Sequence, residues 1–174
     1  MSEGIAYRDK LYRALNPVWA SKPLSGDGAA RFGGRFNAIG MPALYCSLSP
    51  LTALREANQV GDLQPTVLVA YNAQIETVFD GRSVSEIAEF GMASELLADP
   101  AWRDEAAAGG EAPTQTFAKS LIGRGYNGLL VPSFARGARA DDLNLVLWRW
   151  GAKPPSQLEL IDDENRLLRR SRAT

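Results

Sequence analysis

Residues 16–42 carry no strand or helix pattern, yet two short apolar runs that read as strands flank them: 10–15 (KLYRAL) and 43–47 (ALYCS). The fold must therefore hold a long glycine-rich excursion between two strands. Its centre, 24–40 (LSGDGAARFGGRFNAIG), contains five glycines and two arginines. A connection of this length inside a compact domain is usually either functional or disordered. Phe32 and Phe36 argue against disorder, because aromatic side chains call for burial. Gly33 and Gly34 directly before Arg35 let backbone approach a ligand closely with a guanidinium beside it, as an anion-binding loop requires. The same residues read equally as a tight turn whose arginine pairs with a core carboxylate.

The rest of the chain alternates helices and strands. Ser49-Pro50 opens a helix to about residue 60, with serine as N-cap, proline in the first turn and Gly61 as the stop. The run 66–72 (TVLVAYN) is a β-branched apolar strand, and 76–79 reads as another. Ser83 and Glu86 form a capping box for a helix to about residue 98. Residues 99–113 read as a mobile surface loop in which Glu105 and Glu111 are solvated charges. A helix over 114–124 stops at Gly125, and strands follow at 128–132, 143–150 and 158–161. Residues 163–174 form a frayed charged tail. With no repeat and no linker, 1–174 reads as one mixed domain whose core spans about 10–162. Trp148 and Trp150 are assigned to the core, Trp19 and Trp102 to an interface.

Composition removes several chemistries. The chain has no histidine and one cysteine, Cys46. That excludes a Ser-His-Asp triad, a Cys-His pair, a metal site of imidazoles or several thiolates, and an intrachain disulfide. Nineteen basic against 20 acidic residues argue against a protein whose main task is gripping nucleic acid. Arginine's planar fork suits phosphate and carboxylate, although codon bias explains an arginine-rich basic set as well. No apolar run approaches the ~20 residues of a membrane span, and MSEGIAYRDKLYRAL lacks the apolar core of a signal peptide. The expectation is a soluble cytoplasmic protein. The stretch 123–128 matches G-x-G-x-x-G, but a helix precedes it and a strand follows, the reverse of a dinucleotide fingerprint. No P-loop is present.

Two further residues qualify as site candidates. Tyr45 stands in the middle of a strand, where a core tyrosine is the plain reading. Glu56 falls in the 50–60 helix. Leu51, Leu54 and Asn58 share one face, with Glu56 about 100° or more from Leu51 and Leu54, so periodicity alone puts it on the surface.

The run LSGDGAARFGGRFNAIGMPALYCSLSPLTALREA resembles the signature of the RES domain, the toxin component of RES–Xre toxin–antitoxin pairs. That signature is a GGR-aromatic-N loop, an A-hydrophobic-Y strand and a helix carrying a glutamate. Here these are Gly33-Gly34-Arg35-Phe36-Asn37, Ala43-Leu44-Tyr45 and Glu56. Tyr12-Arg13 resembles the family's early arginine strand, Leu130-Val131-Pro132-Ser133 its serine strand, and Asn144 a recurrent position beyond it. Ser120 competes with Ser133 for the serine. The resemblance covers about 10–162. It implies an α+β fold, a mixed split β-sandwich with flanking helices similar to ADP-ribosyltransferase toxins, with NAD+ bound in a cleft as substrate. It also implies an Xre-like helix-turn-helix antitoxin as partner in a hetero-oligomer.

On that resemblance NAD+ is cleaved between nicotinamide and ribose, by hydrolysis or phosphorolysis, and no metal is needed. Glu56 would stabilise the oxocarbenium-like centre. Arg35 would clamp the pyrophosphate or neutralise an attacking phosphate. Tyr45 would stack on nicotinamide or adenine with its hydroxyl free to bond, and Ser133 would orient a ribose or amide oxygen. Arg13 is a second phosphate or carboxylate partner, or else a structural ion pair. Gly33, Gly34, Asn37 and Asn144 complete the NAD+-binding set. Mono-ADP-ribosylation of a host protein, with 99–113 as docking surface or mere spacer, is the alternative. A non-catalytic nucleotide- or partner-binding module is a third.

Overall fold

A computed structural model describes residues 3–59 and 61–167. Its frame is six strands: β1 (Ile5–Leu15), β2 (Leu44–Ser47), β3 (Val67–Asp80), β4 (Gly128–Pro132), β5 (Leu143–Leu147) and β6 (Ser156–Leu160). They run in the order β1-β2-β5-β4-β3, and β3 pairs back onto β1. The result is a closed five-stranded barrel with β6 attached to β3, where the resemblance implied a split sandwich. The mixed α+β character is as expected.

The length of β3 is what permits closure. The runs 66–72 and 76–79, read as separate strands, form one 14-residue strand. Its one edge follows β1 from Leu15↔Val67 to Ile5↔Val78. Its other edge takes β6 over Tyr71–Ile75, then β4 in parallel from Val78. Between these partners the register shifts and Thr77 adopts φ 55°, a bulge whose carbonyl accepts the Asn127 amide at 2.9 Å. Such a bulge bends a strand and redirects its pairing.

Period-two alternation sorts the side chains into two cores. Leu44, Cys46, Leu130, Leu145 and Leu147 point into the barrel with Leu11, Tyr71 and Ile75. Ala43, Leu129, Val131 and Val146 point outward to a second core with Phe79, Phe117, Leu121 and Trp148. Tyr45 lies on this outer side, packed against the second core. The strand parity therefore turns Tyr45 away from the barrel and toward the glycine-rich loop.

Five helices surround the barrel: α1 (Asp27–Phe32), α2 (Pro50–Ala57), α3 (Val84–Glu89), α4 (Trp102–Ala107) and α5 (Pro113–Gly123). Ser49 caps α2 as expected, accepting the Thr52 amide at 3.1 Å. Its exposure differs from the periodicity reading, since Leu51 is 60% exposed while Thr52 and Ala53 are buried. That rotation turns Glu56 inward. The helix begun at Ser83 ends at Glu89, because Gly91 takes a left-handed φ of 70° and only a short 3-10 turn follows.

The supposed loop 99–113 contains α4, and the irregular 16–42 contains α1 and a 3-10 turn, Pro17–Trp19. Strand 143–150 stops at Leu147, where the Trp148 and Arg149 amides both turn to the Asn127 carbonyl. Phe32 departs from expectation as well: it is 69% exposed, whereas Phe36 is buried. Gly123 ends α5 and Gly128 starts β4, so the G-x-G-x-x-G match serves as helix stop and turn. At the end of the chain, Asp162 accepts the Arg166 and Leu167 amides, and Leu167 packs on the barrel core. The expected tail thus begins tethered, while 168–174, like residue 60 at the expected end of the α2 helix, lies outside the described residues.

Candidate active site

A cleft of about 470 Å³ opens between the glycine-rich loop, α2, α4 and the outer faces of β2, β4 and β5. Its loop wall is held by hydrogen bonds that the local sequence makes possible. Gly33 turns the chain at φ 70°. At Gly34 a Cβ would come within 2.5 Å of the Tyr45 hydroxyl and 2.6 Å of Asn37 Oδ1, so only glycine leaves room. Tyr45 Oη donates to Asn37 Oδ1 at 2.7 Å and accepts the Phe36 amide at 3.0 Å. Asn37 Nδ2 in turn donates to the carbonyls of Ala29 and Met41. From α5, Gln115 Nε2 donates to the carbonyls of Gly34 and Asn37, while its Oε1 accepts the Ala112 amide. Burial pushes the Tyr45 phenol well above its ordinary range, so it remains a neutral hydrogen-bonding group.

On the opposite wall stands Glu56, the only carboxylate of the cleft lining among the described residues. Ser133 Oγ and Asn144 Nδ2 both donate to its Oε1 at 2.5 Å, and Gln59 Nε2 donates to its Oε2. Asn144 cannot turn over freely, because its Oδ1 accepts the Ser47 hydroxyl at 2.7 Å. Two donors on one oxygen orient the carboxylate.

Four cations share the cleft: Arg13, Lys22, Arg35 and Arg103. Among the described residues none of them forms an ion pair with a carboxylate. Arg35 Nη1 donates to the carbonyls of Leu97 and Asp99 at 3.0 and 2.7 Å, which ties the loop to the start of the α4 wall. Its guanidinium lies 5.0 Å from the Phe134 ring centre and 5.9 Å from that of Trp102, over which Arg103 also sits at 4.8 Å. Burial and then the neighbouring Arg103 charge pull the Arg35 pKa below its ordinary value. Arg13 Nη1 donates to the Pro23 carbonyl at 3.0 Å rather than to a carboxylate.

The structure thus gathers Arg13, Gly33, Gly34, Arg35, Tyr45, Glu56 and Asn144 around one cleft. Ser133 sits behind Glu56, 8% exposed. Ser120 lies elsewhere, on the exposed side of α5 with its hydroxyl on the Thr116 carbonyl. Asn37 is fully buried and its amide is spent inside the loop, so it shapes the wall without facing the cavity. The Tyr45 hydroxyl, expected to be free, is engaged on both sides. Trp19 and Trp102, expected at an interface, line the cleft instead. Glu111 pairs with Lys119 on the surface.

Sequence reasoning missed Gln115, Arg103 and Phe134. Gln115 carried a signal, since Pro113 and Gln115 at N1 and N3 are a helix-start pattern. Arg103 and Phe134 carried none.

Aromatic faces, unpaired cations and one oriented carboxylate suit a ligand with planar rings, anionic groups and a centre that becomes positive as it reacts. Among the described residues no cluster of three or more His, Cys, Asp or Glu can hold a metal ion, and no helix is long and apolar enough to cross a membrane. A search of curated proteins finds no match to the chain. The family model of the RES domain matches residues 10–169.

Proposed function

Because the chain belongs to the RES domain family, the toxin domain of RES–Xre toxin–antitoxin systems, we propose that its cleft binds NAD+ and breaks the bond between nicotinamide and ribose, arresting growth. The observation that carries this reading is Glu56: one carboxylate oriented by Ser133 and Asn144 in a cleft whose other charges are all cationic.

In the proposed reaction the guanidiniums of Arg35 and Arg13 take the diphosphate, and the aromatic rings take the planar groups. The C1′–N bond breaks with its electron pair going to the pyridinium nitrogen. Nicotinamide therefore leaves neutral and needs no proton from the protein. Positive charge builds on the ribose, and the Glu56 carboxylate stabilises it. A water or phosphate oxygen then attacks C1′, and an attacking water releases one proton to the solvent, which balances the positive charge lost from the pyridinium. Tyr45 acts through shape, because its hydroxyl is already committed to the loop. The same reading groups the fold with ADP-ribosyltransferase toxins and assigns an Xre-like helix-turn-helix protein as antitoxin.

Cellular NAD+ after brief induction of the wild type and of Glu56→Gln tests the proposal. A rapid fall with the wild type alone supports it. Steady NAD+ with growth arrest removes it in favour of ADP-ribose transfer to a protein, which labelled NAD+ in a lysate would reveal as a discrete labelled band.

A further inference from the structure

Glu56 is oriented by groups from two separate parts of the chain, and one residue outside the cleft lining joins those parts. We propose that Asp142 is a positioning residue for Glu56: it locks α2, which carries the glutamate, to the β4–β5 connection, which carries Ser133.

Asp142 makes five hydrogen bonds among the described residues and all serve that junction; its own amide donates to the Arg139 carbonyl at 3.1 Å. Asp142 Oδ1 accepts the Thr52 hydroxyl at 3.0 Å, and Oδ2 accepts Arg55 Nη1 at 2.6 Å. Thr52 lies one helical turn before Glu56, and Arg55 is its immediate neighbour, so the turn of α2 that leads into the carboxylate is fixed at both of its ends. Oδ2 also accepts the Arg139 amide at 2.7 Å, closing the connection on itself. The Asp142 carbonyl accepts the Ser133 amide at 2.7 Å, which sets the residue whose hydroxyl holds Glu56 Oε1. Two residues further on, Asn144 supplies the second donor. Thr52 is 1% exposed and its hydroxyl also meets the α2 cap, Ser49 Oγ, at 2.8 Å. The junction is thus partly shielded from water, and its bonds compete less with solvent.

Replacing Asp142 by asparagine preserves the shape and removes the charge facing Arg55. It also puts a donor where an acceptor was needed. The helix then loses its anchor while every group that touches the carboxylate remains present. Small displacements of a reacting group cost rate more than binding, because the transition state depends on alignment more steeply than the ground state does.

This inference rests on the NAD+ reading, so its test has one arm that does not depend on catalysis. Asp142→Asn, Asp142→Glu, Thr52→Val and the remote control Asp80→Asn are purified. Asp80 makes a more exposed ion pair, with Arg82 at 2.7 Å. In Asp142→Asn, kcat for NAD+ cleavage is expected to fall by about tenfold to a hundredfold, with KM within about twofold of wild type. Asp142→Glu recovers part of the loss and Asp80→Asn shows none.

The carbon NMR signal of the Glu56 carboxyl, assigned by its absence in Glu56→Gln, is expected to move in Asp142→Asn and Thr52→Val and to stay in place in Asp80→Asn. Thr52→Val removes one bond only and keeps the test usable should Asp142→Asn fold poorly. An unmoved carboxyl signal, or a kcat loss that merely follows the folded fraction, overturns the positioning role. A wild type without NAD+ cleavage overturns the proposed reaction, while the carboxyl signal still decides the role of Asp142.

Discussion

Tyr45 and Asn37 bind each other side chain to side chain at 2.7 Å, so the strand and the glycine-rich loop behave as one hydrogen-bonded unit. Phe36 adds its amide to the same phenol at 3.0 Å. Tyr45→Phe removes the hydroxyl and leaves Asn37 Oδ1 and the Phe36 amide short of a partner in a part-buried site. A buried group left unpaired costs about 1–3 kcal/mol. Urea unfolding should show a loss in that range, and an unchanged midpoint would refute the lock.

Gly34 faces the same phenol. Because an added methyl would stand 2.5 Å from Tyr45 Oη and 2.6 Å from Asn37 Oδ1, Gly34→Ala forces the loop outward. Overpacking of this kind costs about 1–3 kcal/mol. Gly40→Ala serves as a contrast: it meets no atom within 4 Å and suffers only from its φ of 90°. Combining Gly34→Ala with Tyr45→Phe should lose less than the sum of the single changes, since the nearer of the two clashing oxygens is gone.

Cys46 points into the barrel and is 2% exposed, and burial pushes its thiol up to about 12. A thiolate is the reactive form. The native protein should therefore resist an aromatic disulfide reagent at pH 8 and release one equivalent of thiol only on unfolding. Rapid labelling in native buffer would mean that the barrel opens.

Arg35 anchors the α4 wall through the carbonyls of Leu97 and Asp99. Arg35→Ala should speed amide hydrogen exchange in residues 97–107 and leave exchange in β1 and β3 unchanged. Arg35→Lys should restore protection only in part, because an ammonium lacks the rigid planar fork. Equal exchange in all three proteins would assign Arg35 to ligand alone.

Acid should weaken the Asp142 junction. The Arg139 amide, then the Thr52 hydroxyl and the Arg55 guanidinium, hold the Asp142 carboxyl below its ordinary value. A carboxylate lowered by folding adds stability above its unfolded value of about 3.9 and loses it as pH falls through the folded value. The urea midpoint should therefore fall more steeply between pH 5 and pH 3 in the wild type than in Asp142→Asn. Asp80 and Glu111, also lowered, contribute alike to both proteins. Parallel curves would count against the junction.

Much of this protein was legible in its linear order. Four of the strands and the starts of α2, α3 and α5 follow from alternation, Ser or Pro at helix starts and glycine stops, which are local effects. The loop glycines were legible for the same reason. Gly91, which ends α3 early, and Thr77, which bends β3, act through backbone conformations that composition does not mark.

The sequence by itself determined the pieces of the cleft: a glycine-rich loop carrying Arg35, a strand whose parity sets Tyr45, a capped helix with Glu56, and no imidazole for any of the chemistry. Tertiary structure decided which way α2 turns, and so that Glu56 faces Ser133 and Asn144 while Leu51 faces solvent. It also decided that Arg103 joins the cleft and that Asp142 holds the helix. These contacts span 77 to 88 residues for Glu56 and 87 for the Arg55–Asp142 pair. A helical period reports which residues share a face, whereas the direction of that face depends on the barrel it packs against. Here the buried Thr52 hydroxyl, which also meets the Ser49 cap, donates there to Asp142, and this orients the helix against its own apolar stripe.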